Sequence, residues 1–263
     1  MNTWKIDLVN KKPALKNPIL IEGLPGIGNV GKVAVDFIIE EMKAVPLYDV
    51  FSFTFPHSVF VKENNLVELP SIKIYYKNHK GHDLLFLAGD VQPIDEVSSY
   101  EFSEKIIDIA QQFRCKEIIT LGGIGLQDVP RKPKVYCTGN SKAIIKRYKQ
   151  LAKVNDKLYG VVGPIVGVSG LLLGLSQKRK IQAISFLAET YGHPLYLGIK
   201  GACEILKVLN DALLLKLDVT KLKKEVDEIE SEMVKRTKEF AEVSKQTAIK
   251  KLKGKFKEMD YIG

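Results

Sequence analysis

The residues best equipped for chemistry in this chain stand where apolar runs give way to glycine. Gly26-Ile27-Gly28-Asn29-Val30-Gly31-Lys32 satisfies the G-x-G-x-x-G pattern. It lies between a predicted strand and a predicted helix, the setting in which backbone amides and a helix N-terminus hold phosphate. Gly26, Gly28, Gly31 and Lys32 are therefore the candidate ligand loop. The run also approaches a P-loop, but Val33 occupies the position where serine or threonine would hold magnesium. A normal P-loop ATPase does not fit. A dinucleotide site would need an acid closing the second strand, and Asp49 stands near that separation. A tight structural turn, stiffened by Pro25, is the favoured reading, with a nucleoside or phosphate ligand as the alternative.

Glu22, Asp90 and Glu189 fall at or just past the ends of predicted strands. Ligands of open α/β sheets bind along that edge, so these are the candidate crevice acids. Glu189 precedes Tyr191 and His193, which would permit an acid–base cluster. Acids in such places equally cap helices and bind loop amides. No catalytic residue is assigned. Ser169, within Gly167-Val168-Ser169-Gly170, lacks the spacing of a nucleophile elbow. His57, His79 and His82 have no metal-ligand spacing, and the last two flank Gly81 in a predicted turn. No metal and no cofactor is expected. Cys115, Cys137 and Cys203 form no C-x-x-C pair and read as small buried hydrophobes in a reducing compartment.

The elements that must position these groups recur as apolar run, glycine-rich turn and helical periodicity. Pro18 to Glu22 reads as a buried strand, broken by Gly23 to Gly28, and Val30 to Met42 as a helix with an apolar face. Asp83 to Ala88 and Ser98 to Phe113 repeat the unit, with Ser98 and Glu101 as a capping box and Phe102, Ile106, Ile109 and Phe113 as the buried stripe. A third strand, Glu117 to Leu121, runs into Gly122, Gly123 and Gly125. Gly167 to Lys178 reads as a helix whose three glycines share a face for close packing. A fourth strand, Ile181 to Ala188, precedes a helix from Leu197 to Leu215. This alternation predicts an α/β fold with a mostly parallel or mixed sheet and helices on both faces. Val50 to Tyr76, rich in Phe, Val, Ile and Tyr, reads as an antiparallel extension.

With 263 residues, 45% hydrophobic and 27% charged, the chain can bury one substantial core, and wholesale disorder is excluded. The net charge of +9 is spread along the sequence without a block of five consecutive basic residues. It favours solubility over nucleic-acid binding. Neither a secretory signal nor a membrane span is legible, because Tyr159 to Leu175 is short and interrupted by glycine and Pro164. A cytoplasmic location is expected. The composition shifts after Leu217, so residues 1–218 form the α/β core domain and 219–263 a charged helical extension and tail. Leu222, Val226, Ile229, Met233, Phe240 and Val243 alternate at heptad spacings with Arg236 in the seam. This suits an oligomer seam, a helical hairpin or a helix lying on its own core. Lys250 to Lys257 is a basic stretch.

Four glycine signatures, in order, carry a further reading. They are Gly23-Leu24-Pro25-Gly26-Ile27-Gly28-Asn29-Val30-Gly31, Leu121-Gly122-Gly123-Ile124-Gly125, Gly167-Val168-Ser169-Gly170-Leu171-Leu172-Leu173-Gly174 and Glu189-Thr190-Tyr191-Gly192-His193-Pro194. Their combination resembles the archaeal proteasome assembly chaperone family. The resemblance implies a phosphorylase-like α/β fold without enzyme activity, assembled into homo-oligomers. It implies protein partners, proteasome α subunits or another assembly among them. Some members of that family insert a hydrophobic–tyrosine–any-residue tail into proteasome pockets, which points to Tyr261, Ile262 and Gly263 as partner-binding residues. Here Tyr261 is third from the end, and Asp260 stands where the hydrophobe belongs.

Overall fold

Apolar runs with no polar alternation require burial on both faces, and the most apolar of them form the centre of a single sheet. The computed structural model describes residues 4–222 except residues 63, 161 and 162. The strands of the main sheet are β1 (Trp4–Leu8), β2 (Ile19–Gly23), β3 (Val45–Ser52), β6 (Ile72–Lys77), β7 (Leu84–Gly89), β8 (Glu117–Leu126), β9 (Val135–Gly139) and β10 (Gln182–Tyr191). Two short strands, β4 (Phe60–Val61) and β5 (Val67–Glu68), pair separately as an antiparallel hairpin. The main sheet has the order β1-β3-β6-β7-β2-β8-β10-β9. Its centre, β7-β2-β8-β10, is parallel. Both margins are antiparallel. The expected mixed α/β sheet is therefore present, and the stretch around Val50 to Tyr76 is its antiparallel extension.

The helices are α1 (Val30–Met42), α2 (Glu96–Gln112), α3 (Lys142–Leu151), α4 (Val168–Lys178) and α5 (Ile199–Leu213). Odd residues of β2 face one side: Ile19 and Ile21 join Ala34, Ile38, Tyr148, Ile205 and Leu209, so α1, α3 and α5 cover that face. Leu20 and Leu24 instead join Phe102, Ile106, Val168 and Leu172, placing α2 and α4 on the other. Phe102, Ile106, Ile109 and Phe113 are all buried, as the spacing predicts.

Several boundaries differ from the expectation for physical reasons. Helix α2 is capped by Asp95, whose carboxylate accepts the Ser98 amide at 2.9 Å, so Ser98 lies inside the first turn and is not the cap. Strand β8 does not stop at Leu121 but continues through Gly122, Gly123 and Gly125 to Leu126 in register with β10. Gly123 and Gly125 thin the strand so that the loop carrying Ile27 can lie on it. In α4, Gly170 packs against the Ile165 carbonyl of the preceding loop, whereas a Cβ at Gly174 would meet nothing. The three glycines are therefore not one packing face. Strands β1 and β9 and helix α3 carry no apolar run or glycine signature of the kind that marks the other elements. The two strands form because the sheet margins supply pairing partners, a tertiary cause, whereas α3 is begun by Ser141, whose hydroxyl accepts the Ile144 amide, and it buries Ile144 and Tyr148.

Among the described residues, no helix is long and apolar enough to cross a membrane. Cys115, Cys137 and Cys203 are free thiols. Burial pushes the Cys115 thiol up to about 12 and, with the nearby Asp156 carboxylate, Cys137 to about 11. Residues 219–222 are helical, and Lys221 reaches Glu41 at 2.9 Å. The rest of the expected charged extension, including Tyr261, Ile262 and Gly263, lies outside the described residues.

Candidate functional site

At the carboxyl ends of the parallel strands lies a cleft of about 900 Å³. Its walls are the loop after β2, the segment leading into α2, the glycine-rich end of β8 and the N-terminus of α4. This is the edge where sheets of this kind bind ligands, and the candidate loop borders it through Gly26, Ile27 and Gly31.

The loop itself is a packing knot. Ile27–Asn29 forms a single 3-10 turn, and Gly28 has φ 61, a left-handed conformation that other residues adopt at a cost. A side chain at Gly28 would also lie 2.6 Å from Thr190 Oγ1. One at Gly31 would overlap the Leu121 carbonyl, so glycine here lets the first turn of α1 rest directly on β8. The Ile27 carbonyl in turn occupies the space above Gly123. The Gly28 carbonyl accepts the Gly198 amide at 2.8 Å, tying the loop to the start of α5. Lys32 does not reach toward the cleft. Its ammonium donates to the Gly89 carbonyl at 3.0 Å and pairs with Asp36 at 2.9 Å. The structure thus brings Gly26, Gly28 and Gly31 together as a turn and takes Lys32 elsewhere.

The crevice acids do not converge, because each has its own partners. Glu22 is fully buried on the α4 side of β2 and accepts the Leu24 amide and the Ser169 hydroxyl, both at 2.9 Å. Burial raises its carboxyl to about 7, against the opposing pull of those hydrogen bonds. Asp90 accepts from the Ser71 hydroxyl at 3.2 Å and lies 3.7 Å from Lys32. Glu189 accepts the Lys134 amide at 2.9 Å and the Tyr136 hydroxyl at 3.2 Å. His193 is stacked on Tyr191, and its Nδ1 accepts the Leu195 amide at 3.2 Å. These are holding contacts, and among the described residues no proton-transfer chain connects them. Asp49 cannot serve a dinucleotide ribose. Its strand β3 lies beyond β7 and β6 from β2, and its carboxylate is 3.5 Å from Lys73.

One side chain that sequence reasoning missed organises the cleft. Gln92 donates to the Pro25 carbonyl at 2.6 Å and accepts the Val168 amide at 3.3 Å, clamping the β2 loop to α4. Its sequence signal is slight: it follows the end of β7, where a switch-point loop begins. Among the described residues that line the cleft, Asp95 and Glu96 supply the charged side chains, with no lysine, arginine or histidine beside them. Such a wall repels a phosphate. Among the described residues, no group of histidine, cysteine and carboxylate side chains could hold a metal.

Fold and site together define a mixed-sheet α/β protein in which a glycine knot serves architecture. The chain belongs to the PAC2 family, whose model matches residues 20–236, and the resemblance seen in the glycine signatures is thereby borne out. Its fold is similar to the crystal structure of Pyrococcus furiosus PbaB, described as an archaeal proteasome activator, with a TM-score of 0.81 and 31% identity over 90% of this chain and 100% of that one. It is also similar to Pyrococcus furiosus PbaA, described as an archaeal homolog of proteasome-assembly chaperone, with a TM-score of 0.73 and 26% identity over 98% and 99% of the two chains. The uncharacterized protein MJ1210 of Methanocaldococcus jannaschii is 31% identical over 180 residues, 68% of either chain.

Proposed function

We propose that this protein is a homo-oligomeric proteasome assembly chaperone or adaptor that binds protein partners, proteasome α subunits among them, in the cytoplasm. Membership of the PAC2 family and likeness to PbaA and PbaB support the class. The observation that carries protein binding is an apolar surface between residues 53 and 69, on and beside the β4–β5 hairpin. Phe53 is 78% exposed, Val61 69%, Leu66 63% and Leu69 60%, and Val59, Phe60 and Val67 are exposed with them. Monomeric proteins rarely leave so many large apolar side chains together in water, and such patches mark interaction sites. In this reading the body self-associates and displays residues 219–263 repeatedly, so weak tail contacts sum through avidity.

A pull-down of archaeal proteasome α subunits tests the partner and the tail together. The full chain is expected to retain them, and the Tyr261→Ala, Ile262→Ala double variant to retain clearly less. Equal recovery by both would remove the tail from the proposal, and no recovery by either would remove the partner. The alternative, a nucleoside or phosphate ligand at the glycine loop, is disfavoured by the acidic lining and by the engagement of Lys32 elsewhere. It is checked by thermal shift. Phosphate, nucleosides and nucleotides at millimolar concentration should leave the Tm within about 1 °C, whereas a bound ligand at a hundredfold excess over its Kd would stabilise by roughly 2.7 kcal/mol.

A further inference from the structure

The cleft has a character that the glycine knot does not explain: its mouth is apolar on several sides and acidic on one. Ile27, Ile94 and Val166, one from each of three segments, are 53%, 68% and 82% exposed, and Tyr100 is 53% exposed beside them. Asp95 and Glu96 form the lip at the start of α2, both exposed. Large apolar side chains gathered round a concave surface favour an occupant with matching apolar side chains. The charge pattern favours cations beside them and disfavours anions.

One segment of this chain has that chemistry. Residues 250–257 read Lys-Lys-Leu-Lys-Gly-Lys-Phe-Lys, two large apolar residues among lysines with no acid between them. Leu252 and Phe256 are four positions apart, a spacing that puts both on one face of a helix and also on one face of an extended strand. Length is sufficient as well. Leu222 is the last described residue, and Leu252 lies thirty positions beyond it. Thirty extended residues span up to about 100 Å, against a diameter of roughly 45 Å for a compact body of this size. A helical stretch over 222–243 would contribute about 30 Å at 1.5 Å per residue, and the nine residues after it about 30 Å more if extended, so the reach holds either way. A tethered segment is presented to its site at an effective concentration on the order of millimolar, so a weak contact is enough to fill it.

We propose that the cleft at the carboxyl edge of the sheet is the docking site of the chain's own basic segment 250–257, with Leu252 and Phe256 seated among Ile27, Ile94 and Val166 and the lysines facing Asp95 and Glu96. The apolar pair supplies most of the contact, since exposed ion pairs at a rim contribute little and are screened by salt. The acidic lip sets orientation and rejects anionic competitors.

Zero-length carbodiimide cross-linking of the full chain at low concentration, mapped by mass spectrometry, tests this directly. Links from Asp95 or Glu96 to lysines of 250–257 are expected, in excess of links from those lysines to exposed acids elsewhere on the body. The Leu252→Asp, Phe256→Asp double variant should reduce them at least fivefold. The Ile94→Ser, Val166→Ser variant should do the same, and its exposed sites leave folding intact, checked by an unchanged Tm. A synthetic peptide of residues 248–258, added to the tail double variant, should restore the links in trans. Links spread evenly over all surface acids, or insensitive to both variants, overturn the proposal. So do links that join isotopically heavy to light chains in a mixture, since the segment would then belong to a neighbouring copy. The proteasome pull-down is read independently, so either result stands without the other.

Discussion

Glu22 is the residue whose chemistry is most altered by the fold. An acid at a strand end is visible in the sequence, but its role depends on which way the strand faces. Even positions of β2 point toward α4, and Glu22 therefore lies buried beside Ser169, holding the Leu24 amide and the α4 N-terminus to β2. Burial opposes ionisation, so its carboxyl is raised from an ordinary 4.5 to about 7. Between those values the native state holds a proton that the unfolded chain has lost. Stability is therefore fully present below the unfolded value and falls as pH rises through the folded one, by roughly 3 kcal/mol in all. Urea unfolding from pH 5 to 8 should show this decline, and Glu22→Gln, which cannot ionise, should remove most of it. Parallel pH profiles for the two chains would show that Glu22 does not titrate in this window.

At the scale of elements, the glycines divide by what their missing side chains admit. Gly31 brings the first turn of α1 onto the Leu121 carbonyl, a contact of backbone with backbone that no rotamer change can relieve. Gly31→Ala should cost about 3 kcal/mol, the upper end of the usual range for overpacking. Gly174, exposed inside α4 with open space around its Cα, has no such constraint. Gly174→Ala should stabilise by about 0.5–1 kcal/mol through helix propensity and the unfolded-state entropy of glycine. Chemical denaturation of the two variants gives opposite signs if these assignments hold. Both positions belong to glycine signatures legible in the sequence, yet only the packed structure separates them. Helix α1 was legible to the residue, because its periodicity is local and Asn29 and Lys43, both in the left-handed region, bound it. Strands β1 and β9 were not, because a margin strand is defined by the neighbour it pairs with.

For the whole molecule, the deciding feature is what the sheet leaves uncovered. The antiparallel margin projects the β4–β5 hairpin with its exposed Phe60, Val61 and Val67. If this surface holds copies together, light scattering should show the full chain as an oligomer. The Phe60→Glu, Val67→Glu variant should shift to monomer mass without loss of Tm for the body. An unchanged mass would place the subunit contact elsewhere. The free chain would then have to tolerate this apolar surface in water, contrary to what monomers usually do.

The order of glycine signatures and the apolar runs were enough to define a mixed α/β sheet, its central strands and the family. Those features depend on local periodicity and on backbone approaches that only glycine permits. The destination of each side chain was decided in three dimensions. Lys32 turned to Gly89, the three crevice acids parted to separate partners, and Gln92 became the clamp of the cleft. Strand order and face are set by packing among segments far apart in the chain. A motif can name the residues at a sheet edge, but the neighbours brought beside them determine whether those residues bind, catalyse or hold the fold together.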